Sequence, residues 1–114
     1  MAADRMRQIN ELLRTELSTA LLRDVELPEN AVVSITQVHT SPDLHHATVL
    51  VSILPDQLTG TILAQLRREL PHIMKELGPR LVLRNIPKMH LKLDETERSA
   101  ARIEAILDSI KKNQ

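Results

Sequence analysis

The chain of 114 residues has the length of one domain, and hydrophobic residues make up 42% of it, which is enough for one modest core. It contains no Phe, Tyr or Trp, which argues against an RNA-recognition-motif sheet or an OB-type stacking groove. It contains no Cys, which excludes disulfides, a thiolate nucleophile and Cys-ligated zinc. Its 15 basic and 15 acidic side chains give a formal net charge of zero, so only a local basic surface could attract an anionic partner.

The first segment is predicted to be an amphipathic helix that ends before Pro28. Apolar side chains recur there at steps of three and four residues: Met6, Ile9, Leu13, Leu17, Ala20 and Leu21. The segment lacks the apolar run of a signal peptide, and no stretch approaches the length of a membrane span. We therefore expect a cytoplasmic protein without a membrane partner.

A β-hairpin is predicted to follow, with strands at residues 31–40 and 45–54. The apolar alternation of the first strand changes phase, which indicates a bulge near Thr36 and Gln37. Between the strands, the segment from Ser41 to Leu44 is typical of a turn, since it has a proline in second position and an Asp in third.

Residues 58–77 carry one helical stripe, but Pro71 lies inside it. Proline cannot donate to the helical ladder, so we predict two short helices with a bend between them, the second stopped by Gly78. Residues 80–94 are predicted to be extended. A last helix is predicted to begin at Thr96, with an apolar face formed by Ile103, Ile106, Leu107 and Ile110.

Positive charge is concentrated in one third of the chain. Residues 61–93 hold seven basic residues against two acidic ones, a net charge of +5, whereas residues 31–60 hold no Lys or Arg. Such a concentration favours a phosphate-binding surface, and its alternative is a solvated charged face.

Two segments each carry a sequence pattern that runs over many residues. The hairpin presents Ser41, Asp43, Leu44, Ala47, Val49, Val51 and Ser52. The segment after the second helix presents Gly78, Leu83, Arg84, Pro87, Met89, Leu91, Leu93 and Asp94. In both patterns, and over roughly residues 4–112, the chain resembles the ribosome-binding factor A family.

The order of elements and this resemblance imply an α+β fold, a type II KH-like domain that forms a single unit over residues 1–114. The expected architecture is a three-stranded mixed sheet with helices on one face, in the order α-β-β-α-(kink)-α-β-α. The Gly-x-x-Gly loop of most KH domains is absent, because the chain has only Gly60 and Gly78. The family has a kink between two helices instead, and here Leu70 and Pro71 occupy it.

The resemblance implies a ribosome assembly factor that binds the free small ribosomal subunit and its rRNA. Such factors assist late maturation and processing of small-subunit rRNA, including in the cold. The resemblance implies a bacterial protein that needs no cofactor and no small-molecule substrate, and we expect a monomer. The alternative is a protein-interaction or dimerisation module of ferredoxin-like type that does not bind RNA.

Basic residues around the kink and the third strand, with two from the first helix, are the candidate RNA ligands, because guanidinium and ammonium groups bind phosphate oxygens. They are Arg5, Arg7, Arg67, Arg68, His72, Lys75, Arg80, Arg84 and Lys88. Arg84 has the strongest structural alternative, an ion pair with Asp94.

Catalytic and metal sites are not expected. The serines lack a nucleophile elbow, and the chain has neither a phosphate-binding glycine loop nor a helix bearing two histidines at zinc-site spacing. A cluster of His39, Asp43, His45 and His46 at the hairpin turn matches no zinc motif, so exposed turn histidines are the better interpretation. We therefore predict no enzyme activity and no bound metal.

Overall fold

The computed structural model describes residues 2–96, together with Leu107 and Ile110. Its elements are α1 (Ala2–Asp24), β1 (Val32–Thr40), β2 (His46–Leu54), α2 (Thr59–Leu77) and β3 (Lys88–Leu93). Short 3-10 turns at Asp56–Leu58 and Gly78–Arg80 precede and follow α2. The predicted last helix lies outside the described residues, apart from Thr96 at its start and the helical, half-exposed Leu107 and Ile110.

The three strands form one mixed sheet in the order β1-β2-β3. The central strand β2 pairs antiparallel with β1 and parallel with β3, and the chain between β2 and β3 forms the helix α2, as a parallel connection requires. The predicted α+β class and the three-stranded mixed sheet are confirmed. No helix within the described residues combines the length and the apolar content needed to cross a membrane.

Both helices pack against the same face of the sheet. The side chains of β2 that point to that face are completely or almost completely buried: Ala47, Val49, Val51 and Ile53. The predicted stripe of α1 supplies Leu13 and Leu17, which have no exposed surface. The core described by the structure contains only aliphatic side chains and Met89, so close packing of branched residues takes the place of the aromatic rings found in many domains of this size.

The predicted bulge in β1 is confirmed. Ile35 pairs with Val51 and Gln37 pairs with Leu50, which leaves Thr36 as the extra residue. The extra residue reverses the facing of the strand, so that Ile35 before it and Val38 after it are both buried.

The predicted turn at Ser41 to Leu44 is also confirmed. The Leu44 amide donates to the Ser41 carbonyl at 2.9 Å, which closes the four-residue turn. The Asp43 carboxylate accepts hydrogen bonds from the Ser41 hydroxyl at 2.6 Å and from the His45 amide at 3.0 Å. These two bonds, in that order, lower the pKa of Asp43.

The predicted break at Pro71 is wrong, because α2 continues through this residue as one helix. The apolar stripe runs past the proline on both sides, with Leu70 and Ile73 both buried, and this packing holds the helix together where the local rule predicts a break. Gly78 does not take the left-handed conformation of a helix stop. Its φ of −49° and ψ of −49° continue the right-handed path into the following 3-10 turn.

The extended segment predicted for residues 80–94 is shorter in the structure. Only Lys88–Leu93 is a strand, and residues 81–87 are irregular. Pro87 explains the late start, since a proline donates no ladder hydrogen bond. The predicted alternation holds within the strand, because Met89 and Leu91 are buried while Lys88 and Lys92 are exposed.

Asp94, just beyond β3, connects the two outer strands of the sheet. Its carboxylate accepts a hydrogen bond of 2.6 Å from the hydroxyl of Thr36 in the β1 bulge and one of 3.0 Å from the Thr96 amide. The Thr36 hydrogen bond is the largest cause of a lowered pKa of Asp94, and Thr96 is the next. Asp94, which is part of the sequence pattern after the second helix, therefore has a structural role within the fold.

Replacing Pro71 by Ala tests whether the packed stripe carries α2 across the proline. An alanine restores the missing N–H, so the free energy of unfolding should rise by about 1–3 kcal/mol in urea titrations. Pro79→Ala is the matched control, because Pro79 lies at the start of a 3-10 turn, where the missing N–H has no role, and should change stability little. A Pro71→Ala protein less stable than the wild type would contradict this account.

Replacing Asp94 by Asn tests the link to the bulge. A carboxyl group with a lowered pKa stabilises the fold above its unfolded-state pKa, and that contribution is lost as the pH falls through the folded-state pKa. Asp94→Asn should therefore be less stable than wild type by about 1 kcal/mol at pH 7, and the difference should shrink as the solution is acidified below about pH 4. Glu95→Gln, at the exposed neighbouring position, is the control. A difference that does not change with pH would contradict the assignment.

Candidate nucleic-acid interface

Three of the candidate ligands lie on one face of α2. Its buried stripe (Ile62, Leu66, Leu70, Ile73 and Leu77) turns the opposite face of the helix to solvent. Arg68, His72 and Lys75 follow one another on that opposite face at helical spacing, and all three are exposed. Arg80, in the turn after the helix, is exposed as well. We call these four residues the basic ridge.

Acidic groups border the basic ridge on one side. A carboxylate oxygen of Glu76 lies 3.5 Å from Nε2 of His72. Asp24, at the end of α1, has a pKa lowered first by its hydrogen bond from Arg23, with smaller contributions from the charges of His72 and Arg80. Arg68 and Lys75 have no such acidic partner among the described residues, so they are the ridge cations most available to a phosphate.

Sequence reasoning missed Asp24 as a neighbour of the basic ridge. Asp24 ends α1 and reaches the ridge only because α1 and α2 pack side by side. No local pattern in the sequence signals this contact, since it depends on the angle at which two helices lie on the sheet.

Arg67 is used by the fold. Its Nη2 donates a hydrogen bond of 2.9 Å to the carbonyl of Leu91 in β3, the outer strand of the sheet. The guanidinium therefore ties α2 to the outer edge of β3 and satisfies a carbonyl there. A phosphate would have to compete with this bond or share the remaining donors of the guanidinium.

Arg5 and Arg84 come together at a groove of about 540 Å³. The N-terminal half of α1, the hairpin turn and the irregular segment 81–87 form its walls, with apolar residues such as Leu12 and Val82 beside the two arginines. The predicted ion pair between Arg84 and Asp94 does not occur among the described residues, because Asp94 is bound to Thr36 and Thr96 instead.

The two remaining candidates lie elsewhere. Arg7 lines a separate hollow of about 420 Å³ between α1 and β1, together with Arg14 and His39. Lys88 is exposed at the start of β3, and the buried neighbour Met89 places Lys88 on the side of the sheet away from the helices. The nine candidates thus fall into separate places, and only the basic ridge gathers several of them.

In the polar cluster at the hairpin turn, Asp43 has a structural role, since its carboxylate accepts two hydrogen bonds within the turn. Within the part of the chain that the structure describes, no group of three or more His, Asp or Glu side chains is arranged to hold a metal ion. The basic ridge itself presents guanidinium, imidazole and ammonium groups, a chemistry suited to phosphate oxygens.

Comparison with known proteins places the chain in a family. The family model for ribosome-binding factor A matches residues 5–107. A ribosome-binding factor A of Clostridium botulinum is 34% identical over 116 residues, covering 100% of this chain and 97% of that protein. The ribosome-binding factor A of Halothermothrix orenii is 31% identical over 115 residues, covering 100% of this chain and 94% of that protein.

Solved structures share the fold. The crystal structure of ribosome-binding factor A from Thermus thermophilus has a TM-score of 0.65 at 19% identity, over 77% of this chain and 94% of that one. A homology model of the Thermus thermophilus protein, fitted into the cryo-electron microscopy map of a 30S–RbfA complex, has a TM-score of 0.54 at 21% identity and covers 73% of this chain and 92% of that one. The full-length match to named relatives and the family model together establish that this chain belongs to the ribosome-binding factor A family.

Proposed function

We propose that this protein binds the free small ribosomal subunit through its rRNA and assists the late maturation and processing of that RNA. The observation that carries the proposal is the basic ridge, a run of exposed cations on the solvent face of α2, in a chain that belongs to the ribosome-binding factor A family. A Thermus thermophilus relative is named for its complex with the 30S particle, the small subunit of bacterial ribosomes.

The mechanism would be selective binding. A protein shifts an RNA equilibrium only as far as its affinity for one arrangement exceeds its affinity for the other. Arg68, Lys75 and Arg80 would position the protein on the backbone of immature RNA without reading its sequence. Release would follow when the mature arrangement no longer offers the same set of phosphates. Binding of this kind needs no cofactor, and the cytoplasm, where bacterial subunits mature, is the proposed place of action.

Backbone contacts at the ridge would differ from those of KH domains that have a glycine loop. Pro71 lies on the exposed side of α2 beside His72, and a proline offers no N–H to a phosphate. Side-chain cations therefore have to supply the contacts that backbone amides supply in a Gly-x-x-Gly loop.

The ferredoxin-like alternative is not favoured. A ferredoxin-like domain follows the order β-α-β-β-α-β, whereas the described part of this chain has the order α-β-β-α-β around a three-stranded mixed sheet. The full-length resemblance to ribosome-binding factor A proteins points the same way.

Charge reversal on the ridge tests the proposal. Arg68→Glu, Lys75→Glu and Arg80→Glu should each weaken co-sedimentation with immature small subunits by about tenfold at low salt, because each removes a charged hydrogen bond to phosphate. Wild type should sediment more with immature than with mature subunits.

Arg14→Glu is the matched control for these variants. It makes the same change of charge at a half-exposed site on α1, where Arg14 pairs with Glu11. Equal weakening by Arg14→Glu and by the ridge variants would contradict the assignment of the ridge, and the absence of wild-type binding to either subunit would overturn the proposed function.

Substitution of Arg67 should change the free energy of unfolding, whereas the same substitution of its neighbour Arg68 should not. Arg67→Met removes the hydrogen bond to Leu91 and should lower the free energy of unfolding by about 1 kcal/mol, whereas Arg68→Met should leave it nearly unchanged. Urea unfolding curves of the two variants provide the comparison. Equal stabilities would show that the hydrogen bond of Arg67 does not stabilise the fold. The Arg67 guanidinium would then count as available to bind phosphate.

A further inference from the structure

The side of the sheet away from the helices has an unusual charge composition. The three strands, Val32–Thr40, His46–Leu54 and Lys88–Leu93, contain no Asp or Glu. Their ionisable side chains are two lysines and three histidines: His39, His46, Lys88, His90 and Lys92. We call these five residues the sheet face. Every ionisable group within the strands is therefore positive or able to become positive.

All five residues lie on the side of the sheet away from the helices, although His39, on the edge strand, also borders the hollow between α1 and β1 and its Nε2 lies 2.7 Å from Oε1 of Gln37. Their strand neighbours Val38, Ala47, Met89 and Leu91 are buried in the core, and side chains alternate between the two faces of a strand. His39, His46, Lys88 and Lys92 are exposed, and His90 is half-buried. Both helices pack on the other side, so the sheet face lies opposite the basic ridge.

Each strand contributes one imidazole, and the register brings His39 and His90 into one row across the sheet with His46 diagonally beside them. Thr48 of β2 pairs with His39 of β1 on one side and with His90 of β3 on the other. Strands lie about 4.8 Å apart, so the backbones of His39 and His90 are about 10 Å apart. His46 pairs with Lys88 and lies diagonally across from His90, with its Nδ1 at 3.0 Å from Nε2 of His90 and the two ring centroids 5.2 Å apart.

These rings can do what Phe and Tyr do on other RNA-binding sheets. Unpaired bases stack on aromatic side chains, and histidine is one of the residues used for this purpose. The chain has five histidines and no other aromatic residue, and three of the five lie on this one surface. The ammonium groups of Lys88 and Lys92 at the outer strand can bind the phosphates between the stacked bases.

The carboxylates at the two ends of the sheet lie outside the strands and are occupied. Asp43, in the turn beside the His46 end, accepts hydrogen bonds from Ser41 and His45. Asp94, beyond the other end of β3, accepts hydrogen bonds from Thr36 and Thr96. Charge complementarity therefore favours a polyanion that crosses the sheet between these two ends, and the rings favour one that carries bases.

We propose that the sheet face binds a segment of single-stranded RNA by stacking bases on His39, His46 and His90. The inference rests on the proposed function in taking RNA as the partner, and adds a second contact on the opposite side of the molecule from the basic ridge. A protein with two such surfaces holds a single strand against a separate region of the same RNA.

Fluorescence anisotropy with a fluorescein-labelled octamer of uridine measures this contact on the full chain. His46→Ala and His90→Ala should each weaken octamer binding by about tenfold, the typical loss for one stacked base. His90→Tyr should bind within about threefold of wild type, since a phenol ring also stacks. His45→Ala, an exposed histidine outside the strands, is the matched control and should bind as wild type does.

Three results would overturn the proposal. One is octamer binding that survives both alanine variants. Another is a tyrosine variant as weak as the alanine variant, which would show that the ring is not the contact. The third is an octamer of glutamate that displaces the RNA as well as unlabelled uridine octamer does, because the site would then select charge and not bases.

An NMR titration of the wild type keeps the test independent of how well the variants fold. Ring resonances of His39, His46 and His90 should shift on addition of the octamer, while those of His45, outside both surfaces, should not. Shifts confined to His72 would move the contact to the basic ridge and overturn the proposal. Sedimentation of the wild type with small subunits is a separate measurement. A wild-type protein that binds the octamer but no small subunit would contradict the proposed function and still support this contact.

Discussion

Burial of one side of β2 is the interaction on which the rest of the structure depends. Ala47, Val49 and Val51 have no exposed surface, and they are covered by side chains from α1 and α2. Complete burial of a valine contributes about 1.5–3 kcal/mol, so Val49 and Val51 are a substantial source of stability in a chain without aromatic rings. Because α1 and α2 both cover this one side, neither of them covers the other.

That arrangement divides the molecule into two chemically different surfaces. The solvent face of α2 carries the cations of the basic ridge, with Asp24 and Glu76 at its border. The strands on the other side of the sheet carry lysines and histidines without any carboxylate. A net charge of zero is therefore compatible with binding to a polyanion, because each surface has a part where cations outnumber the carboxylates at its border.

The hairpin could be predicted from the sequence almost completely. Its strands alternate with period two, and the change of phase after Thr36 signals the bulge without any knowledge of the partner strand. Pro71 shows where local rules fail, because buried residues before and after it keep α2 continuous. Burial of the whole apolar stripe stabilises the helix more than the one hydrogen bond missing at Pro71 destabilises it. A rule applied to one residue at a time does not compare these two contributions.

The sequence predicts which basic residues are available to the candidate site, but it does not predict how the fold groups them. Arg5 and Arg84 are far apart in the chain and share one groove, whereas the consecutive Arg67 and Arg68 have different roles. The grouping of His39, His46 and His90 on one face depends on strand order and register, which the pattern of β3 alone does not reveal. The absence of Phe, Tyr and Trp argued against a stacking surface, but histidine rings are also able to stack.

The dissociation constant of the wild-type protein for immature small subunits, measured as a function of salt between about 50 and 200 mM, tests the central claim most directly. If about five phosphates are bound, the logarithm of the association constant should fall linearly with the logarithm of salt concentration, with a slope of about −3.5. Binding that does not change over this range would contradict an interface built on phosphate contacts and would indicate a protein partner bound through apolar surface.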